Sequence, residues 1–157
     1  MTTTALRTPR AELRDREVMR ERMEVVPRRG DGPPRTEDAH QVGVLRRIAA
    51  ARLRQCGLQE LRADVMVLVS ELLTNAVLHS GTREISLSLS VRGGFLHIAV
   101  TDGMPGNPAR KDLVDDDESG RGLALVEALV QEHGGTWGTS NAGAQTWCTL
   151  AVSKGQP

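Results

Sequence analysis

The strongest constraint in this 157-residue chain is a change of hydrophobic period near residue 80. Before it, Leu61, Val65, Leu68, Val69, Leu72, Leu73, Ala76 and Val77 recur at three- and four-residue spacing. That is the broad apolar face of a helix, beginning near Gln59 and ending at Ser80-Gly81. After it, Ile85, Leu87, Leu89 and Val91 alternate with Ser86, Ser88 and Ser90, the period of a strand with one buried face. A helix that feeds a half-buried strand points to helices laid against a sheet.

The remaining elements follow from the same signals. Val42, Leu45, Ile48, Ala49 and Leu53 predict an earlier helix from Glu37 to Gln55, stopped by Cys56 and Gly57. Gly93-Gly94 turns the first strand into an antiparallel partner from Phe95 to Thr101. Asp102 stands at that strand's end, before a Gly-, Pro- and Asp-rich loop from Gly103 to Ser119 whose length suggests a functional or disordered segment. Leu123, Leu125, Val126, Leu129 and Val130 form a third helix after Gly120-Arg121-Gly122, closed by His133-Gly134-Gly135. Strands over Thr136 to Ser140 and Gln145 to Val152 complete a sheet of about four strands. The fold class is therefore α+β: a two-layer sandwich with a mixed, mostly antiparallel sheet and helices on one face.

Residues 1–36 read differently. Nine arginines are interleaved with six acids and few apolar side chains, the stretch 11–25 has the make-up of a charged helix, and Pro27 to Pro34 reads as a linker. The domain layout is accordingly a mobile arginine-rich arm over 1–36, a folded domain over 37–153 and a tail over 154–157. Twenty basic residues balance twenty acidic ones, so no net field draws the chain to nucleic acid or membrane. With Phe95, Trp137 and Trp147 the only aromatics, base-stacking platforms for single-stranded nucleic acid are scarce. The arm's own acids dilute any attraction to DNA phosphates. Cys56 and Cys148 stand far apart, giving neither a disulfide framework nor a zinc site. No apolar leader and no membrane-spanning run are present, so a cytoplasmic location is expected.

Three short motifs carry chemistry. Glu71 and Asn75 lie four apart on the long helix, on one side and one turn from each other, with His79 continuing the stripe. A lone pair of this kind is usually solvated surface. Here Leu72, Leu73, Ala76 and Val77 crowd it, which suits a cleft where the amide oxygen ligates Mg²⁺ and the carboxylate takes a proton. Asp102 can accept a hydrogen bond from an exocyclic amine such as adenine's, and Gly103 and Gly106 let the backbone pass close to a base, although Asp-Gly is also an ordinary turn pair. Gly120-Arg121-Gly122, where a loop becomes a helix, offers backbone N–H groups to phosphate. Neither a dinucleotide-binding βαβ context nor a GxxxxGK[ST] loop accompanies it. The acids Asp115, Asp116, Asp117 and Glu118 just before it would repel phosphate unless turned outward or screened, and they read as lid surface or as favourable charge at a helix start.

In this order and spacing, the three motifs resemble the N, G1 and G2 boxes of the GHKL, or Bergerat-fold, ATPases, which include gyrase, ninety-kilodalton chaperones and histidine kinases. Glu71-Leu72-Leu73-Thr74-Asn75-Ala76-Val77-Leu78-His79 matches the first, Asp102-Gly103-Met104-Pro105-Gly106 the second, and Gly120-Arg121-Gly122-Leu123-Ala124-Leu125-Val126 the third. Met104 departs from the second pattern, which has glycine there. Within the superfamily, Val69-Ser70-Glu71-Leu72-Leu73-Thr74-Asn75-Ala76 looks most like bacterial anti-sigma regulatory factors, the serine/threonine protein kinases of partner-switching systems.

The resemblance covers about Glu37 to Val152. It implies a histidine-kinase-like ATPase fold holding ATP and Mg²⁺, with Asn75 on the metal and Asp102 on the adenine amine. Gly106, Gly120, Arg121, Gly122 and Leu123 would lie along the nucleotide, and Glu71 would be the general base. The implied partners are a sigma factor and its antagonist protein, without membrane or direct nucleic acid, and the resemblance also allows a homodimer. The alternative function is a catalytically silent, ATP-gated module that sequesters a regulatory partner. A complete histidine kinase is disfavoured, since nothing before Glu37 resembles a phosphoacceptor hairpin.

Overall fold

The computed structural model describes residues 15–25, 35–79, 83–102, 117–140 and 144–152, with the side chains of His79 and of residues 117–122 outside that description. The described residues form five strands and three long helices: β1 (Arg16–Glu24), α1 (Thr36–Gln55), a short 3₁₀ turn (Gln59–Leu61), α2 (Arg62–His79), β2 (Glu84–Arg92), β3 (Phe95–Thr101), α3 (Asp117–Glu132), β4 (Trp137–Ser140) and β5 (Gln145–Ala151). The sheet runs in the order β1-β2-β3-β5-β4, and every pairing is antiparallel rather than mixed. Helices on a single face make this the expected α+β two-layer fold.

The helix ends obey local chemistry. Glu37 and Asp38 in the first turn of α1, and Arg52 and Arg54 in its last, oppose the helix dipole. Gly57 then takes a φ of 77°, so that its N–H reaches the Arg54 carbonyl and the Leu58 N–H that of Leu53, sealing the last carbonyls. Gly134 repeats the device after α3: Gly134 donates to Gln131 and Gly135 to Val130. The β2–β3 hairpin turns on Gly93 and Gly94, both at positive φ as a two-residue turn requires.

Alternation decides what the sheet buries. Ile85, Leu87, Leu89, Leu96, Ile98 and Leu150 face the helices at 0% exposure, packed against Leu68, Leu72 and Leu73 of α2. The opposite face carries Ser86, Ser88, Ser90, His97, Ala99 and Trp147, all partly exposed.

Two expectations are corrected. Residues 16–24 form neither a charged helix nor a mobile arm; they form β1, paired with β2 from Glu84 to Val91 with a register shift between Glu17 and Met19. The cause is non-local. The β2 edge needs a hydrogen-bonding partner, and an edge strand needs apolar residues only at alternate positions, which Met19 and Met23 supply at 1% and 2% exposure. The third helix begins at Asp117, upstream of Gly120, so the glycine pair lies inside its first turns rather than before them.

Candidate functional site

α2 carries Glu71 and Asn75 through the middle of the helix layer, and its continuous 18 residues hold them one turn apart. Leu72, Leu73, Ala76 and Val77 anchor the helix in the core, so the stripe bearing the two polar groups is fixed in rotation. Asn75 is buried at 9% exposure and Glu71 is half-buried. One residue before Glu71, the Ser70 hydroxyl accepts a hydrogen bond from Arg46 at 3.1 Å, tying α1 to this part of α2.

The Asn75 side chain opens into a cavity of about 210 Å³ shared with Leu123, Trp137, Gly138, Thr139 and Thr146. Two of the expected site residues, Asn75 and Leu123, therefore meet across it. Asp102 approaches through sheet register. Its N–H donates to the Ala144 carbonyl at 2.9 Å, two pairs beyond Val100 and Thr146, which places Asp102 on the same helix-facing side as Thr146. Asp102 as a whole is buried at 1% exposure. On the open side of this sheet end, Ser140 donates to Gln145 at 2.9 Å and Gln145 to Thr101 at 3.1 Å, locking β4, β5 and β3 together beside Asp102.

Gly120, Arg121 and Gly122 have helical backbone at the fourth to sixth positions of α3 and lead directly to Leu123 in the cavity. Gly103 and Gly106 lie outside the described residues, as do Asp115 and Asp116. Thr146, Trp137, Gly138 and Thr139 were not singled out by sequence. A signal existed for Thr146 alone: it is the polar member of the alternating set Thr146, Cys148, Leu150, at 2% exposure. For β4, membership of the cavity is a consequence of its pairing with β5, where Trp137 opposes Cys148 and Thr139 opposes Thr146.

The residues fit a metal–nucleotide ligand. Among the described residues no cluster of three or more His, Cys, Asp or Glu forms a dedicated metal cage. Mg²⁺ commonly takes one or two protein oxygens and completes its shell with water and phosphate, and a buried amide oxygen in a cavity is a donor of that kind. The open face offers different chemistry. There His97 is held below its ordinary pKa, by burial first and the Arg92 guanidinium second, and lies in a separate trough with Trp147.

A two-layer α+β domain with a buried Asp at one strand end and a buried Asn on the central helix is the architecture of the GHKL ATPases. The sequence profile of the histidine kinase-like ATPase domain matches residues 35–150, and the chain belongs to that family. Among solved structures, the Acinetobacter baumannii histidine kinase AdeS is similar at 26% identity over 60% of this chain, with a TM-score of 0.46. The chain spans about half of that protein's chain, 48%. A search of curated proteins finds no match. Among the described residues, no helix is long and apolar enough to cross a membrane.

Proposed function

We propose that this ATPase-family domain is an anti-sigma regulatory factor that phosphorylates a serine or threonine of an antagonist protein. The observation that supports it most is the pairing of Glu71 with Asn75 on one stripe of α2, with Asn75 buried in the cavity and Glu71 half-exposed beside it. A group that holds a metal–nucleotide needs burial, whereas a base that meets a partner's hydroxyl needs access.

In this reading the Asn75 amide oxygen holds Mg²⁺, Asp102 accepts a hydrogen bond from the adenine amine, and the N–H groups of the α3 start face the phosphates. Mg²⁺ supplies neutralisation of charge on the β- and γ-phosphates. The partner's hydroxyl oxygen bonds to the γ-phosphorus as the bond from that phosphorus to the β–γ bridging oxygen breaks. ADP leaves, and the hydroxyl proton passes to the Glu71 carboxylate. Partner and location follow the same reading: a sigma factor and an antagonist in the cytoplasm.

Calorimetric titration with ATP and GTP, each with and without Mg²⁺, tests the site. ATP binding that needs Mg²⁺ and is lost in Asn75→Ala is the expected result, and absence of ATP binding overturns the proposal. Kinase assays on antagonist-like proteins then test the activity. Glu71→Gln should keep ATP affinity and lose transfer by about 10²- to 10⁴-fold. An unaltered rate in that variant would remove Glu71 as the base.

A further inference from the structure

The wall of the Asn75 cavity contains an aromatic side chain, Trp137, with no role in the function above. Trp137 is the first residue of β4, and its pairing with Cys148 turns the indole toward the helix layer. The inward neighbours on β5, Cys148 and Leu150, are at 0% exposure, whereas Trp137 is only partly buried and lines the cavity with its remaining surface. A side chain serving the core alone would be covered like its neighbours.

The cavity's size and lining define what it takes. Its 210 Å³ is below the roughly 300 Å³ at which pockets for whole drug-sized ligands begin. It holds about seven waters' worth of volume, room for a ring system rather than a nucleoside triphosphate. Leu123 supplies an aliphatic side, Asn75, Thr139 and Thr146 supply polar groups, and Trp137 supplies a flat aromatic face. The other two aromatics are placed elsewhere: Phe95 pairs with Ala151 at the opposite end of β3 from Asp102, and Trp147 lies on the open face against Gly138. An aromatic face beside a planar base contributes about 1–3 kcal/mol, and it does so for any base.

We propose that Trp137 is a base-contacting residue, its indole packing on the nucleobase of the bound nucleotide. The inference rests on the nucleotide reading above. Division of labour follows: the indole supplies affinity indifferent to base identity, and a hydrogen-bonding group such as Asp102 supplies the choice between bases.

The two tryptophans stand on opposite faces of the sheet, which makes the test direct. In Trp147→Phe the emission comes from Trp137 alone, and Phe retains a ring over Gly138. Titration of this variant with Mg-ATP, and separately with Mg-tripolyphosphate, is read by fluorescence beside calorimetry. The expected result is a change in Trp137 emission that follows the calorimetric ATP isotherm and is absent with tripolyphosphate. Trp137→Leu, which keeps an apolar side chain for the core, should bind ATP about fivefold or more weakly while its ATP-to-GTP preference stays that of the parent. ATP binding without an emission change, an equal change with tripolyphosphate, or parental affinity in Trp137→Leu each overturns the base contact and leaves ATP binding intact. If the parent does not bind ATP by calorimetry, the nucleotide reading itself falls and this inference with it.

Discussion

A methyl group on Gly135 would land on the Thr149 carbonyl oxygen, because the chain leaving α3 passes directly under β5 to start β4. Gly43, in the middle of α1, is the opposite case: an added Cβ would meet only the Arg47 guanidinium at an ordinary 3.6 Å. The two glycines should therefore respond to alanine with opposite signs. Gly135→Ala is expected to cost more than about 2 kcal/mol through backbone displacement. Gly43→Ala should add about 0.5–1 kcal/mol by restricting the unfolded chain and favouring the helix. Urea unfolding of the two variants beside the parent checks both. At the same scale, Asn75 and Asp102 could be picked out from sequence because a polar residue on an apolar helix face or at an apolar strand's end is conspicuous. Trp137 could not, since an aromatic in a short strand carries no mark of which side it faces.

Among the elements, β1 most changes the picture of the chain. Its outward residues form surface pairs, Arg20 with Glu17 at 3.2 Å and Arg22 with Glu84 at 3.0 Å, all more than half exposed. Its inward methionines close the end of the core. Met19→Ala should cost about 2–5 kcal/mol, whereas Arg20→Ala should change stability by no more than about 0.5 kcal/mol. A destabilising Arg20→Ala together with a silent Met19→Ala would mean that β1 is not held by its buried face. The helices have a comparable tie: the His133 ring nitrogen and the Asp64 carboxylate lie 2.6 Å apart, joining the end of α3 to the first turn of α2. The element that bears Gly120 and Gly122 is thus fastened to the one that bears Glu71 and Asn75.

At the scale of the whole molecule, ligand and proton both act on global stability. If ATP binds the folded chain alone, ATP with Mg²⁺ at a hundred times its dissociation constant should add about 2.7 kcal/mol, seen as a rise in melting temperature that Asn75→Ala abolishes. Cys148 acts in the other direction: full burial pushes its thiol up to about 12 from an ordinary 9.0. Between those values the unfolded chain releases the proton and the folded chain keeps it. Stability should therefore hold below pH 9 and fall as pH rises toward 12, and Cys148→Ala should flatten that fall in urea midpoints measured across the range. By itself the sequence determined α1, α2, the β2–β3 hairpin with its Gly93-Gly94 turn, and the order of the three motifs, because each is written in local periodicity or turn chemistry. Only the tertiary structure decided that residues 16–24 are a strand, that every pairing is antiparallel, and that β4 and β5 bring Trp137 and Thr146 to Asn75. These depend on which edge finds which partner across many residues of chain, and a pattern of period two names a face without naming the neighbour that will cover it.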